Sequence, residues 1–300
     1  MQVLSRVEVL IVGGSYAGLA AALSLGRALR SVLVLDSGQP CNRQTPRAHN
    51  FLTQDGEHPA VIRAQGLAQV QQYPTVSFRQ DMALHIQKDG PEFVVTTESG
   101  QRIAARKLIF ASGIRDMLPT LPGFAECWGI SVLHCPYCHG YEVRGQALGV
   151  LSNGEPGYLQ ARLIRNWTPH LTLFTNGPST LDATQTRQLY EQNIALVETP
   201  IQAVEHSQGR LHHLLLQNEV AVPLAAVFTH VPFEQHTALP ARLGCAFTSA
   251  GHVQVDDWQR TSVPGVYAAG DATTPMRSVA NAVAAGTKAG AFVNHELLGL

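Results

Sequence analysis

Val7-Glu8-Val9-Leu10-Ile11-Val12-Gly13-Gly14-Ser15-Tyr16-Ala17-Gly18 decides how this chain folds. The first six residues are almost all aliphatic and do not alternate with polar ones. Such a run reads as a strand buried on both faces, the kind found in parallel sheets covered by helices. Glycines end it abruptly. Tyr16 to Leu29, rich in Ala and Leu, then reads as a helix, and Val32-Leu33-Val34-Leu35-Asp36 as the next parallel strand. A βαβ unit therefore opens the chain. Its turn follows the pattern G-x-G-x-x-G with Ser15 at the second glycine. Small residues are needed there so that backbone N–H groups and the helix N-terminus can approach a pyrophosphate. Serine narrows that gap without closing it. Asp36 ends the second strand, where an acid accepts a hydrogen bond from a ribose hydroxyl. The alternative, a glycine-rich turn with no ligand, is disfavoured by the order strand, turn, helix, strand, Asp.

Working outward, Phe93 to Thr97 and Lys107 to Ala111 read as strands, the second entering the turn Ser112-Gly113. Leu118-Pro119-Thr120-Leu121-Pro122-Gly123 suits neither helix nor central strand and reads as a linker. A second βαβ pattern follows: strand Ala147 to Leu151, helix Tyr158 to Asn166, strand Leu171 to Thr175, with Ala225 to His230 as a late strand. After Pro240 the chain returns to the first domain through Val263 to Asp271 and a long small-residue helix, Ser278 to Leu297. The expectation is an α/β protein of two Rossmann-like, three-layer nucleotide-binding domains, the second inserted into the first. The boundaries are 1–117, 118–242 and 243–300.

Three further motifs carry chemistry. In Ala268-Ala269-Gly270-Asp271, Gly270 lets the chain turn at a strand end and Asp271 can point back into the nucleotide cleft. Taken singly this is an ordinary solvated turn; with the N-terminal motif it reads as part of one site. The second motif is His134-Cys135-Pro136-Tyr137-Cys138-His139-Gly140-Tyr141-Glu142. Two cysteines at this spacing can form a reducible disulfide, and Pro136 suits a first helical turn, where the dipole lowers a thiol pKa. His139 can move the proton of the exchanging sulfur. The alternative is zinc held by His134, Cys135, Cys138 and His139. Structural zinc takes ligand pairs from two separate loops, and no second pair occurs. No metal is expected. The third motif is Leu151-Ser152-Asn153-Gly154-Glu155-Pro156-Gly157, which stands where a second dinucleotide turn would be. Ser152 replaces its first glycine, Pro156 removes an N–H, and no arginine follows Thr175-Asn176-Gly177 to hold a 2′-phosphate. A domain whose pyridine-nucleotide site is weak or lost is favoured over NADPH binding.

Composition sets the limits. Only 14% of the 300 residues are charged, against roughly 25% in typical domains. That points to a large interior or a subunit interface. A net charge of −1 argues against nucleic acid or an anionic membrane as partner. No apolar run is long enough to span a bilayer, and no cleavable leader is evident, so a cytoplasmic protein is expected. Five cysteines, only two closely spaced, do not make a secreted disulfide framework. Cys41, Cys127 and Cys245 read as small buried hydrophobes and Trp128, Trp167 and Trp258 as packing residues.

These motifs, in this order, resemble the low-molecular-weight thioredoxin reductase family of flavoproteins over essentially the whole chain. Gly13 to Leu23 and Cys135-Pro136-Tyr137-Cys138-His139-Gly140-Tyr141-Glu142 look more closely like the thioredoxin-reductase-like dithiol oxidases of the gliotoxin and holomycin type. The resemblance implies FAD held by Gly13, Gly14, Ser15, Tyr16, Ala17, Gly18, Asp36, Asn42, Arg43, Asn50, Ala111, Gly113, Gly270 and Asp271. It places the flavin ring near Val279 and Ala280 and implies a homodimer. Residues 1–117 and 243–300 would then be the FAD-binding domain. Catalysis would fall to Cys135, Cys138 and His139, acting on a small-molecule dithiol or a thioredoxin-like protein. The chain departs from the reductases in two places. They carry an aspartate where His139 stands, and an H-R-R triplet with G-x-G-x-x-A for NADPH that is missing here. The expected function is FAD-dependent dithiol/disulfide exchange without NADPH. The rivals are an NADPH-dependent thioredoxin reductase and a non-enzymatic flavin redox sensor.

Overall fold

The computed structural model describes residues 4–300. These gather into two compact units. The first takes the chain up to Arg43, Asn50–Arg115 and Phe233–Leu300; the second takes Gln44–His49 and Asp116–Pro232. The first unit begins with β1 (Leu4–Val12), α1 (Tyr16–Arg27), β2 (Val32–Asp36), α2 (Pro59–Val70), β3 (Val76–Gln80), β4 (Ala83–Asp89), β5 (Glu92–Thr97), β6 (Arg102–Phe110) and β7 (Ile114–Asp116). The second runs through α3 (Phe124–Cys127), β8 (Val132–Leu133), α4 (Pro136–His139), β9 (Leu148–Leu151), α5 (Gly154–Ile164), β10 (Leu171–Phe174), α6 (Ala183–Glu191) and β11 (Ile194–Val197). It ends with β12 (Ile201–Ser207), β13 (Arg210–Leu216), β14 (Ala221–Pro223) and β15 (Ala226–Phe228). The chain then returns to the first unit as β16 (Phe233–Gln235), α7 (Leu239–Arg242), β17 (Val266–Ala268), a 3₁₀ turn (Gly270–Ala272) and α8 (Val279–Leu298).

In the first unit seven strands form one sheet in the order β3-β2-β1-β6-β5-β4, with β17 also on β6. β1 lies between β2 and β6, parallel to both, which explains its unbroken apolar run. Val9 and Ile11 join one core cluster and Leu10 and Val12 the other, as the two-residue period of a strand requires. β6 serves two partners along one edge. Arg102–Ala105 pairs antiparallel with β5, and Leu108–Phe110 pairs parallel with β17. On one face α1 and α8 meet at backbone contact: a Cβ on Gly286 would overlap the Ala17 carbonyl, and one on Gly290 would lie 2.7 Å from the Ala21 carbonyl oxygen.

The second unit holds a five-stranded parallel sheet, β11-β10-β9-β15-β8, and a separate antiparallel sheet, β12-β13-β14. The antiparallel sheet has no counterpart in the sequence reading. Register shifts at Ile201/Ala203 and Glu205/His206 break the alternation that would have marked it. Helix α5 begins at Gly154, four positions before the expected Tyr158, because Asn153 caps it and proline is tolerated in a first helical turn. Asn153 Oδ1 accepts from the N–H groups of Gly154 (2.8 Å) and Thr180 (2.9 Å), while Nδ2 donates to the Pro178 carbonyl (2.9 Å). Asn153→Ala removes all of these and is expected to destabilise this unit by about 1–2 kcal/mol, read from its urea midpoint. Among the described residues, no helix is long and apolar enough to cross a membrane.

Candidate active site

The chemistry-bearing residues fall in two places, one per unit. In the first unit, β1 delivers Gly13 to the start of α1. Gly13 has φ +109, and a Cβ there would overlap the Ala111 carbonyl at the end of β6. A Cβ on Gly18 would overlap the Gly13 carbonyl. Glycine is thus required for the turn to nest against β6 and for α1 to follow closely. Ser15 is the N-cap of α1, yet its side chain makes no capping bond, and the first turn carries no acid. The N–H groups of that turn have no side-chain acceptor, so the positive end of the helix dipole is left for an anion.

A cleft opens over this turn. Of the expected residues it is lined by Gly13, Gly14, Ser15, Asp36 and Ala111. Ser112 also lines it, with a buried Oγ that has no hydrogen-bond partner within the chain. A Cβ on Gly14 would come within 2.6 Å of the Phe78 ring. An open helix N-terminus, an orphaned hydroxyl and a groove that side chains would fill suit the diphosphate and ribose of a dinucleotide. The other expected residues are not among those that line the cleft. Tyr16 donates to the Pro59 carbonyl (2.9 Å) and accepts from Asn42 (3.3 Å). Arg43 is exposed and bonds the Pro40 carbonyl; Asn50 is exposed at φ +61. Gly113 follows the end of β6 at φ +67. Gly270 packs on Ala17, Asp271 lies 4.0 Å from Arg277, and Val279 and Ala280 open α8 behind its cap Ser278. Arg63 was not anticipated. From α2 it forms an ion pair with Asp36 and donates to the Gly14 carbonyl (3.2 Å), tying the acid to the turn. No spacing in the sequence announces it.

The start of α5 in the second unit offers the opposite arrangement. Its cap Asn153 occupies the Gly154 N–H, Glu155 puts a negative charge in the first turn, and Pro156 has no N–H to give. The loop Pro178–Thr180 is drawn onto the same asparagine. This helix end is capped by its own asparagine and carries a negative charge in its first turn, which disfavours an anion.

The cysteines lie in the second unit. β8 ends at Leu133, and Cys135 is the N-cap of the single turn α4, with Pro136 at its first position. Cys135 and Cys138 form a disulfide with Cα atoms 5.3 Å apart, inside the usual range. The Cys138 N–H donates to Cys135 Sγ (3.2 Å). Gly140 must be small, since its Cβ would press on the Pro136 carbonyl and the Trp167 ring; Tyr137, 65% exposed, meets that ring edge-on at 5.6 Å. His134 packs edge-on against His230 at 4.7 Å. His139 is half-buried. Burial holds its pKa below the ordinary histidine value; His49 lowers it further, while Glu142 acts to raise it. His49, also unanticipated, lies 3.5 Å from Glu142 and 6.4 Å ring to ring from His139. Trp128 stacks on Phe124 and donates to Asp116, a packing role, and burial pushes the Cys127 and Cys245 thiols up. Among the described residues no group of three or more His, Cys, Asp or Glu is arranged to hold a metal ion.

The pyridine nucleotide-disulphide oxidoreductase family matches residues 7–286. Thioredoxin reductase tcpT of Claviceps purpurea is 32% identical over an alignment covering 97% of this chain and 94% of its own. The crystal structure of an oxidoreductase from Agrobacterium tumefaciens is 35% identical, with a TM-score of 0.92 over 98% of this chain and 99% of its own. That of HlmI is 33% identical, with a TM-score of 0.93 over 98% and 93%.

Proposed function

We propose, from the premise that this chain belongs to the pyridine nucleotide-disulphide oxidoreductase family, that it is an FAD-dependent dithiol/disulfide oxidoreductase whose electrons do not come from NADPH. The observation that carries the reading is the Cys135–Cys138 disulfide, exposed enough to react and flanked by a histidine, in a chain that also holds an open dinucleotide cradle. FAD would be held by the Gly13–Gly18 turn and Asp36 of the first unit, and when bound it supplies a two-electron partner for the cysteine pair. The capped start of α5 supports the second half of the proposal: a pyrophosphate there would have to displace Asn153 and face Glu155.

In the oxidising direction His139 takes the proton of a substrate thiol. The thiolate attacks Cys135 Sγ, the Cys135–Cys138 bond breaks, and Cys138 leaves as a thiolate. A second substrate thiolate attacks the substrate sulfur of the mixed disulfide. This releases the oxidised product and leaves both cysteines reduced. The reverse sequence reduces a disulfide. The substrate is a small-molecule dithiol or a thioredoxin-like protein, and the enzyme acts in the cytoplasm as a homodimer, the last a use for its low charge content.

The relatives named thioredoxin reductases favour a second reading, in which NADPH is the donor. An anaerobic titration separates the two. Excess dithiothreitol is expected to bleach the flavin absorbance fully, while equimolar NADPH leaves at least nine-tenths of it after minutes. Rapid bleaching by NADPH would select the reductase.

A further inference from the structure

Two imidazoles and one carboxylate meet beside the disulfide. His49 comes from the short segment Gln44–His49, His139 ends α4, and Glu142 follows one turn later. All three belong to the second unit. The Glu142 carboxylate is nearest to His49, at 3.5 Å, and the His49 ring stands at 86° to that of His139, 6.4 Å away. The neighbouring ionisable groups engage other rings. Arg144 lies 3.8 Å from the centre of the Tyr141 ring, Tyr137 meets Trp167, and His134 meets His230. The charges that act on His139 are therefore those of His49 and Glu142.

One carboxylate stabilises a single imidazolium better than two, because two like charges at this separation repel. The carboxylate lies nearest His49, and a positive charge at His49 opposes a second one on His139. We propose that the Glu142–His49 ion pair keeps His139 as the neutral imidazole, so that His139 stands ready to take the proton of an incoming thiol. This rests on the disulfide-exchange function above. In the step it serves, the S–H proton moves to a His139 ring nitrogen, the new sulfur–sulfur bond forms at Cys135, and the bond to Cys138 breaks with its electron pair on Cys138. His49 and Glu142 touch neither sulfur nor substrate; they are positioning residues.

The two partners act on His139 with opposite sign, and this separates the proposal from a merely structural role. In ¹³C-histidine-labelled, oxidised holoenzyme, with the His139 resonance identified by its loss in His139→Asn, the midpoint of its titration is read by NMR. His49→Gln leaves Glu142 facing His139 alone, so the midpoint is expected to rise by about half to one pH unit. Glu142→Gln removes the carboxylate, so it is expected to fall by about the same amount. His49→Lys restores a cation and returns the midpoint towards wild type. Shifts of one sign in both variants, movement in one alone, or no movement in either overturn the proposal. The acid limb of dithiothreitol-driven bleaching should follow, with His49→Gln about three- to tenfold slower than wild type at a pH well below both midpoints. A wild-type flavin that dithiols never bleach would instead remove the proposed function, while the NMR titration still decides the charge coupling.

Discussion

Cys138→Ser is expected to purify with its flavin bound and to lose dithiol oxidation by at least about a thousandfold. With serine at 138 no internal disulfide exists, so a substrate thiolate finds no sulfur–sulfur bond to attack, and Cys135 alone cannot take up two electrons. The cradle for the dinucleotide lies in the other unit and shares no residue with α4, so cofactor content should not change. The check is the flavin-to-protein absorbance ratio together with the rate of anaerobic flavin bleaching on adding dithiothreitol. A variant that keeps full turnover would sink the role given to the cysteine pair.

Gly286→Val is expected to destabilise the first unit by about 4 kcal/mol, a large share of the roughly 5–15 kcal/mol that holds a domain together. The reason is the contact between α1 and α8. The atom displaced by a new Cβ is the Ala17 carbonyl oxygen, which belongs to backbone and has no rotamer to escape into. The helices would have to part, uncovering Ala21, Ala22, Ala289 and Val293, all fully buried. Gly299→Val is the control, since nothing lies within 4 Å of a Cβ there, although its φ of +77 adds a local backbone penalty. Urea midpoints followed by circular dichroism read the difference; equal midpoints for the two variants would refute the close contact.

The features legible in the sequence are those written in adjacent residues. β1, its glycine turn and Asp36 follow one another closely, and each is fixed by local geometry. The cysteine pair is likewise separated by only two residues. Arg63 and His49 carry no such mark as members of a site. Arg63 reaches Asp36 at the end of β2 from helix α2, and His49 reaches Glu142 across 93 positions, so only the fold brings them together. Asn153 misled in a different way. The departure from a glycine pattern at 152–157 was visible, but the side chain that closes the helix end depends on where Pro178 and Thr180 come to lie. The sheet β12–β14 escaped in part because β12 is irregular against β13, so alternation, the one signal a half-buried strand offers, is interrupted there.

The dual pairing of β6 has a consequence for biosynthesis. β17 and α8 lie more than 150 residues beyond β6, on the far side of the whole inserted unit. A nascent chain halted at Pro232 therefore already contains every strand of the insertion, while half of one edge of β6 and the α8-covered face of the earlier sheet are still bare. The amino-terminal end emerges first and is completed last. During synthesis, apolar surface open to chaperones or aggregation belongs chiefly to that end rather than to the insertion.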